Sequence, residues 1–200
     1  MCNDYAREIE IGRVIKLIKE MDKLPALIWA GGKMPNDIAP QPHIKISDNG
    51  FVASLEGNKL SGEMMKWAWN TPQRKPVFNF VSEERDFSDS HRVVILATGF
   101  YEYTTPKKPK VKLKDQHFFK FREEEWFWIA GIVKHRCFTM LTTKPGPDVE
   151  PYHDRQICIM PPQDGLRWLK EADHTVLDPL PKGTLSINTL RKDGEILNAL

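Results

Sequence analysis

Four polar side chains that could act as nucleophile, acid, base or orienting group are spread through this 200-residue chain. Cys2 directly follows the initiator methionine, and loss of that methionine would leave it with two nucleophiles, a free α-amine and a thiol. Asn79, Glu102 and His153 each stand in or beside an apolar run. Histidine moves protons at cellular pH, and a carboxyl among aromatic rings can have a pKa raised towards neutrality. These residue types together predict a catalytic set.

Each of the four residues also has a structural interpretation. Cys2 would be a chance cysteine at a frayed terminus. The amide of Asn79 would bond a neighbouring backbone group, and Glu102 would face outward on an edge strand between two inward tyrosines. His153 would belong to an exposed polar turn. Spacing alone leaves both interpretations open, because catalytic groups meet in space rather than in sequence.

The composition is that of an ordinary globular protein. Apolar residues make up 40% and charged residues 28%, with a net charge of +2. Three cysteines without a CxxC pair predict neither a disulfide framework nor a zinc site, so a reducing, cytoplasmic setting is expected. Cys137, Cys158 and the six histidines lack metal-ligand spacing, and we expect no metal and no cofactor. No apolar run is long enough to predict a membrane span, and no leader is recognised.

The hydrophobic pattern predicts many strands and few helices. Residues 5–21 have mostly helical spacing, with Asp4 as the predicted N-cap. Short runs rich in β-branched and aromatic residues predict strands at 77–81, 92–97, 117–121, 126–133, 137–142 and 157–160. Residues 165–172 predict a short helix, and a segment broken by proline and glycine surrounds a short strand near "LIW". The pattern favours one α+β domain over residues 1–200 with a mainly antiparallel sheet.

Four separated motifs, in one order, give the chain a family resemblance. They are the "MC" start, "NFVSE" (79–83), "GFYEY" (99–103) and "HDR" (153–155) ahead of an apolar strand. In this combination the sequence resembles the SRAP family, the SOS-response-associated peptidase or abasic-site-sensor domains. Supporting pieces such as "NDIAP" (36–40), "KWAW" (66–69) and "LRWL" (166–169) extend the resemblance over roughly residues 1–170. It implies a single SRAP-like domain whose mainly antiparallel sheet is strongly bent or barrel-like and flanked by a few helices.

The resemblance implies a role for each matching residue. Members of the family capture abasic sites in single-stranded DNA, where Cys2 would form a thiazolidine crosslink with the ring-opened sugar aldehyde. Glu102 would shuttle protons during imine formation, and His153 would assist ring opening and crosslink release. Asn79 would orient the amino-terminal residue. Thr142 and Glu83 would line the same pocket. We also expect a lowered thiol pKa for Cys2 beside the predicted helix start.

Two departures from the family pattern concern DNA contacts. The family usually has arginine where this chain has Asp4 and Val81, and those arginines contact phosphates. Losing two cations weakens phosphate binding. The remaining candidates for DNA contact are Arg155, Arg74, Lys75, Lys107, Lys108 and Lys110, with Trp67 and Trp69 as candidates for base stacking. The lysine-rich stretch 107–114 also fits a solvated hairpin loop, and the tryptophans also fit the core.

Three functions remain open from the sequence. The first is an abasic-site-crosslinking enzyme, with weak lyase activity through the imine. The second is a cysteine peptidase or amidase, possibly acting on itself, with Cys2 as nucleophile, His153 as base and Asn79 as orienting group. The third is a divergent, non-catalytic single-strand-binding protein. The expected partner is single-stranded DNA with abasic sites, and no obligate protein partner is evident.

Overall fold

The computed structural model describes residues 2–21, 24–72 and 75–197. In these ranges the strands are β1 (Asp4–Arg7), β2 (Leu27–Trp29), β3 (Gln41–Lys45), β4 (Asn49–Glu56), β5 (Lys59–Trp67), β6 (Trp69–Asn70), β7 (Pro76–Val77), β8 (Asn79–Val81), β9 (Arg92–Ala97), β10 (Gly99–Thr104), β11 (Asp115–Phe121), β12 (Phe127–Lys134), β13 (Cys137–Thr143), β14 (Gln156–Ile157), β15 (Ile159–Met160), β16 (Leu185–Lys192) and β17 (Glu195–Ile196). The α-helices are α1 (Ile11–Glu20) and α2 (Gly165–Glu171).

Two sheets carry most of the described strands. One has six strands in the order β17-β16-β11-β10-β1-β3, and all its pairings are antiparallel. The other follows the path β14-β13-β12-β9-β4-β5-β2, with β15 added to β12 and β8 added to β13. The predicted α+β class with a mainly antiparallel sheet is confirmed.

The larger sheet curls until two of its strands meet. A pairing between β13 and β5, through Cys137–Lys66 and Phe138–Trp67, closes the ring β13-β12-β9-β4-β5. That closing pair is parallel, whereas the other four pairs in the ring are antiparallel. Five strands cannot alternate in direction all the way round a ring, so one pair must be parallel. The predicted barrel-like bend is therefore present.

Apolar side chains fill both faces of the curled sheet. One cluster packs between the sheets and contains Cys2, Tyr5 and Trp67. A second cluster packs α1 and α2 against the other face, with Val14, Ile18 and Trp168 among its members. Cys2 thus belongs to the main core and is 1% exposed, which contradicts its interpretation as a frayed terminal residue.

The predicted start of the first helix is wrong. Residues 4–7 form β1, which pairs with β10 and β3, and the helix begins only at Ile11 after Glu10. Asp4 is therefore a strand residue and not an N-cap. The backbone hydrogen bonds available from two neighbouring strands outweigh the helical spacing of a few apolar residues.

The other predicted strands are confirmed, with two interruptions. The run 77–81 divides into β7 and β8, and the run 157–160 divides into β14 and β15. The hairpin of β4 and β5 and the long strand β16 were not predicted, because glycine, serine and charged residues interrupt their apolar pattern. Neither described α-helix has the length and apolar character to span a membrane.

Candidate active site around Cys2

Cys2 directly precedes β1, at the end of an inner strand of the six-stranded sheet. Its thiol donates to the backbone oxygen of Asp4 over 3.3 Å. Its own carbonyl accepts a hydrogen bond of 2.8 Å from Nδ2 of Asn79. Asn79 lies on the short strand β8, whose parallel pairing with β13 places it opposite Met140. The asparagine predicted to orient Cys2 is thus in contact with its backbone.

Glu102 lies on β10 and points into the core. It is 1% exposed, and its Oε1 atom is buried without a hydrogen-bond partner in the described part of the chain. Burial raises its pKa from the usual carboxyl range to about 7. The interpretation of Glu102 as an outward-facing residue on an edge strand is wrong, because β10 is paired on both sides.

Cys2 and Glu102 are both buried, and the charge of Glu102 acts on the Cys2 thiol. Burial raises the pKa of the Cys2 thiol well above its ordinary value, and the negative charge of Glu102 raises it further. The expectation of a lowered thiol pKa is therefore wrong, since no helix starts beside Cys2. A neutral thiol and a carboxyl that titrates near pH 7 are suited to passing a proton between them.

His153 faces Glu102 from the loop between β13 and β14. Its Nε2 lies 3.9 Å from Oε2 of Glu102, and its side chain is 21% exposed. Nδ1 accepts a hydrogen bond of 3.1 Å from the backbone amide of Arg155 and lies 2.8 Å from a carboxylate oxygen of Asp154. Burial lowers the pKa of His153, so the imidazole is neutral at neutral pH. The imidazole is thus positioned to exchange a proton with Glu102 or a bound substrate.

The loop carrying His153 is fastened at both ends. On one side, the ring of Tyr152 packs on the imidazole of His117, with centroids 4.6 Å apart. On the other, Arg155 forms two hydrogen bonds to Glu83, of 2.7 and 2.8 Å, and a third of 2.9 Å to the carbonyl of Thr142. Glu83 and Thr142 therefore support the loop through Arg155. The Arg155 guanidinium, predicted to contact DNA, is occupied by this ion pair.

The acidic residue that replaces the family arginine is buried. Asp4 is 2% exposed, and its carboxylate lies 3.0 Å from Nδ1 of His43 and accepts a hydrogen bond of 3.0 Å from the Tyr103 hydroxyl. The imidazole of His43 also stacks on Tyr101, with centroids 4.7 Å apart. These partners hold the Asp4 side chain on the sheet face opposite the core that contains Glu102. Val81, at the second departure, is 42% exposed.

The two tryptophans predicted to stack on bases belong to the core. Trp67 is completely buried and donates from Nε1 to the carbonyl of Phe78 over 2.8 Å. Its ring makes an edge-to-face contact with Tyr5 and is stacked on the ring of Phe138. Trp69 is 8% exposed. The base-stacking prediction for these residues is wrong, because both side chains are buried and their rings are not available to a base.

The lysine-rich stretch forms the connection between β10 and β11 and is largely exposed. The backbone amides of Lys107 and Lys108 both donate to the carboxylate of Asp193, and the Lys108 ammonium pairs with Glu195 at 3.7 Å. Lys75 and Lys110 are exposed as well. Arg74 falls outside the described residues. In the described part of the chain, no three histidine, cysteine or acidic side chains are grouped to hold a metal ion.

Sequence reasoning did not identify several residues that surround the site. His117 supports the loop of His153, and His43 and Tyr103 hold the carboxylate of Asp4. Lys45, the last residue of β3, lines a pocket together with Asn3 and with Lys114, the last residue of the lysine-rich stretch. Tyr103 could have been found from the sequence. Successive residues of a strand point to opposite faces of the sheet, so the neighbour of Glu102 was expected to lie on the other face.

The protein-family comparison matches most of the chain. The family model described as SOS response associated peptidase (SRAP) matches residues 35–193, a range that includes Asn79, Glu102 and His153. Curated relatives are the abasic site processing proteins YobE of Bacillus subtilis, 30% identical over 131 residues, and YoqW of the same organism, 34% identical over 131 residues. The matched stretch is 61% of this chain in both cases. The chain spans about half the length of these relatives, with 57% and 55% of them covered.

Solved structures have the same fold. A protein from Bacteroides thetaiotaomicron has a TM-score of 0.68 at 15% identity, with 96% of this chain and 93% of that one covered. A phage-related protein from Bordetella bronchiseptica has a TM-score of 0.69 at 14% identity, with 98% and 100% covered. Since the family model covers well over half of the sequence, this chain belongs to the SRAP family.

Proposed function

We propose that this protein captures abasic sites in single-stranded DNA as a covalent thiazolidine formed by Cys2 after removal of Met1. The observation that carries the proposal is the placement of Cys2 and Glu102 in one buried site, where the carboxyl has a pKa of about 7. The names of the curated relatives, abasic site processing proteins, support the same substrate.

The reaction joins an aldehyde to an aminothiol with loss of one water. An abasic sugar is in equilibrium with its ring-opened aldehyde, and His153 would assist the opening by moving the hydroxyl proton. The neutral α-amine of Cys2 attacks the aldehyde carbon, forming a C–N bond and a carbinolamine. An ordinary α-amine has a pKa of about 8, so a usable neutral fraction exists at neutral pH.

Glu102 would serve as acid and then as base. Its protonated carboxyl gives a proton to the carbinolamine hydroxyl, which leaves as water and produces an iminium ion. The thiol sulfur then attacks the iminium carbon, and the S–H proton passes to the Glu102 carboxylate. A carboxyl with a pKa of about 7 has both forms available at neutral pH. The product is a five-membered thiazolidine that links the protein to the DNA.

Asn79 would act as a positioning residue in this sequence of steps. Its hydrogen bond of 2.8 Å to the Cys2 carbonyl restrains the backbone that carries both the amine and the thiol. A restrained nucleophile loses less freedom when it reaches the transition state, which lowers the barrier. Because the carbonyl is one bond from the Cys2 Cα, the restraint applies to both nucleophiles.

A cysteine peptidase built on the same residues receives less support. Such an enzyme needs a thiolate, and burial together with the charge of Glu102 keeps the Cys2 thiol protonated. The thiol hydrogen bond also goes to the backbone of Asp4 and not to His153. In the crosslinking reaction a neutral thiol is sufficient, since a base removes its proton as the sulfur attacks.

The test is a denaturing gel with an oligonucleotide that contains one abasic site. Protein whose Met1 removal is established by intact mass should give a slow-migrating band, and Cys2→Ala should abolish it. An oligonucleotide with a tetrahydrofuran in place of the abasic sugar has no aldehyde and should give no band. Protein that retains Met1 should also fail, because its amine is not on Cys2. Absence of the band from fully processed wild-type protein would overturn the proposal.

A further inference from the structure

A pocket of about 510 Å³ opens beside Asn3, at the point where the chain enters β1. It is lined by Asn3, Asp4, Lys45, Ile46, Tyr103 and Lys114. The residue before Asn3 is the proposed nucleophile, so anything bound in the pocket lies close to the reacting sugar. The two lysines of the pocket come from segments outside the four family motifs.

The two lysines reach the pocket from different segments of the chain. Lys45 is the last residue of β3 and stands directly opposite Asp4 in the pairing of β1 with β3. Lys114 immediately precedes β11, whose first residue pairs with the last residue of β10. The same end of the sheet thus presents both ammonium groups, and both side chains are exposed.

The ammonium groups of these lysines are available for an external anion. Among the described residues, Lys16 and Lys108 form ion pairs with carboxylates, whereas Lys45 and Lys114 form none. The acid that lines the pocket, Asp4, is buried, and its carboxylate is bound by His43 and Tyr103 and also feels the charge of Lys45. Two ammonium groups against one carboxylate leave the lining of the pocket with a net positive charge.

Arg155, the motif arginine predicted to contact DNA, is not available for an external anion in the way that the two lysines are. Its guanidinium is directed to Glu83 and Thr142.

We propose that Lys45 and Lys114 bind a phosphodiester of single-stranded DNA next to the sugar captured at Cys2. The site would supply, from other segments of the chain, cationic contacts that Asp4 and Val81 do not provide. Lysine binds phosphate as a point charge, and the exposed amide of Asn3 offers a hydrogen bond to the same backbone. This assignment rests on the proposed function for the identity of the nucleic acid.

The first test measures non-covalent binding to a single-stranded oligonucleotide without an abasic site. Fluorescence anisotropy over a range of salt concentrations gives the slope of log affinity against log salt. The Lys45→Gln/Lys114→Gln variant should bind about tenfold more weakly at low salt, and its slope should fall by about 0.7 for each phosphate that is no longer neutralised. The matched control is Lys16→Gln/Lys19→Gln, which makes the same charge change on exposed positions of α1 and should leave the slope unchanged.

A rival variant, Lys107→Gln/Lys110→Gln, removes two charges from the lysine-rich loop. The assignment is overturned if this variant has a smaller slope of log affinity against log salt than the wild type, while Lys45→Gln/Lys114→Gln has the wild-type slope. An equal loss of affinity in the α1 control would overturn it too, because net charge and not the pocket would then decide binding.

The second test separates this site from the chemistry at Cys2. Free 2-deoxyribose is an aldehyde source without a phosphodiester, and intact mass reports its adduct with the amino-terminal cysteine. The Lys45→Gln/Lys114→Gln variant should form this adduct as fast as the wild type. The same variant should crosslink abasic DNA about tenfold more slowly. Loss of the sugar adduct in the variant would contradict a phosphate-binding role. If the wild type forms no adduct with sugar or abasic DNA, the proposed function fails, while the salt slope still decides whether the lysines bind phosphodiester.

Discussion

The side-chain amide of Asn79 donates a 2.8 Å hydrogen bond to the backbone carbonyl of Cys2, across 77 residues of sequence. Asn79 is positioned by the parallel pairing of β8 with β13, which is one strand of the closed ring. Its Oδ1 atom is buried without a hydrogen-bond partner in the described residues. A buried amide with an unused acceptor is costly, which agrees with a role in the reaction and not in stability alone.

Removing the Asn79 donor should slow crosslinking more than it unfolds the protein. We expect Asn79→Ala to lower the crosslinking rate by about 10- to 100-fold, corresponding to roughly 1–3 kcal/mol of lost hydrogen bonding. Asn79→Asp keeps the shape but loses the donor, and it should be equally slow. Single-turnover gel assays and thermal denaturation measure the two effects. Wild-type rates in Asn79→Asp would contradict the assigned role.

Glu102 should set the pH dependence of the reaction. In the wild type, the rate between about pH 5.5 and 8.5 should show an apparent pKa near 7, the value that burial gives this carboxyl. Because the amide of Glu102→Gln cannot exchange a proton, the crosslinking rate of this variant should fall by about 10²- to 10⁴-fold. Its dependence on pH should no longer show the apparent pKa near 7. The measurement is crosslink formation against time at each pH. An unchanged pH profile in Glu102→Gln would exclude the carboxyl as the acid–base group.

Glu102 should also make folding stability depend on pH. Its folded-state pKa of about 7 lies above the ordinary value of 4.5, so the folded protein binds the proton more tightly than the unfolded chain. That contribution is complete below pH 4.5 and is lost as pH rises to about 7. Over this window the wild type should lose up to about 3 kcal/mol relative to Glu102→Gln. Urea denaturation of the wild type and of Glu102→Gln at about pH 4.5 and about pH 8 measures the difference.

Breaking the Glu83–Arg155 ion pair should decide between structural support and DNA contact. If Arg155 only fastens the loop of His153, Glu83→Gln should slow crosslinking and cost about 1 kcal/mol of stability, without changing the salt dependence of single-strand binding. If the guanidinium instead binds phosphate, freeing it from Glu83 should increase both affinity and salt slope. Arg155→Lys keeps the charge but cannot form the bidentate contact with Glu83. Its crosslinking rate and stability should therefore resemble those of Glu83→Gln.

Local pattern predicted the strands that carry long apolar runs. β9 has the predicted bounds because six consecutive residues rich in β-branched side chains favour one structure. The first helix was predicted to begin six residues too early, since Tyr5 pairs with Phe100 on one side and Ile44 on the other. The hairpin of β4 and β5 escaped prediction although Gly57, with φ of 57°, marks its turn.

The sequence by itself determined which chemical groups are present, the order of the four motifs and the loss of two family arginines. Only the tertiary structure decided which groups meet. It buried Cys2 with Glu102, paired Arg155 with Glu83 and enclosed Asp4 beside His43. The reason is physical: these contacts join residues far apart in the chain, and their geometry depends on strand register and closure of the sheet. Local composition contains neither quantity.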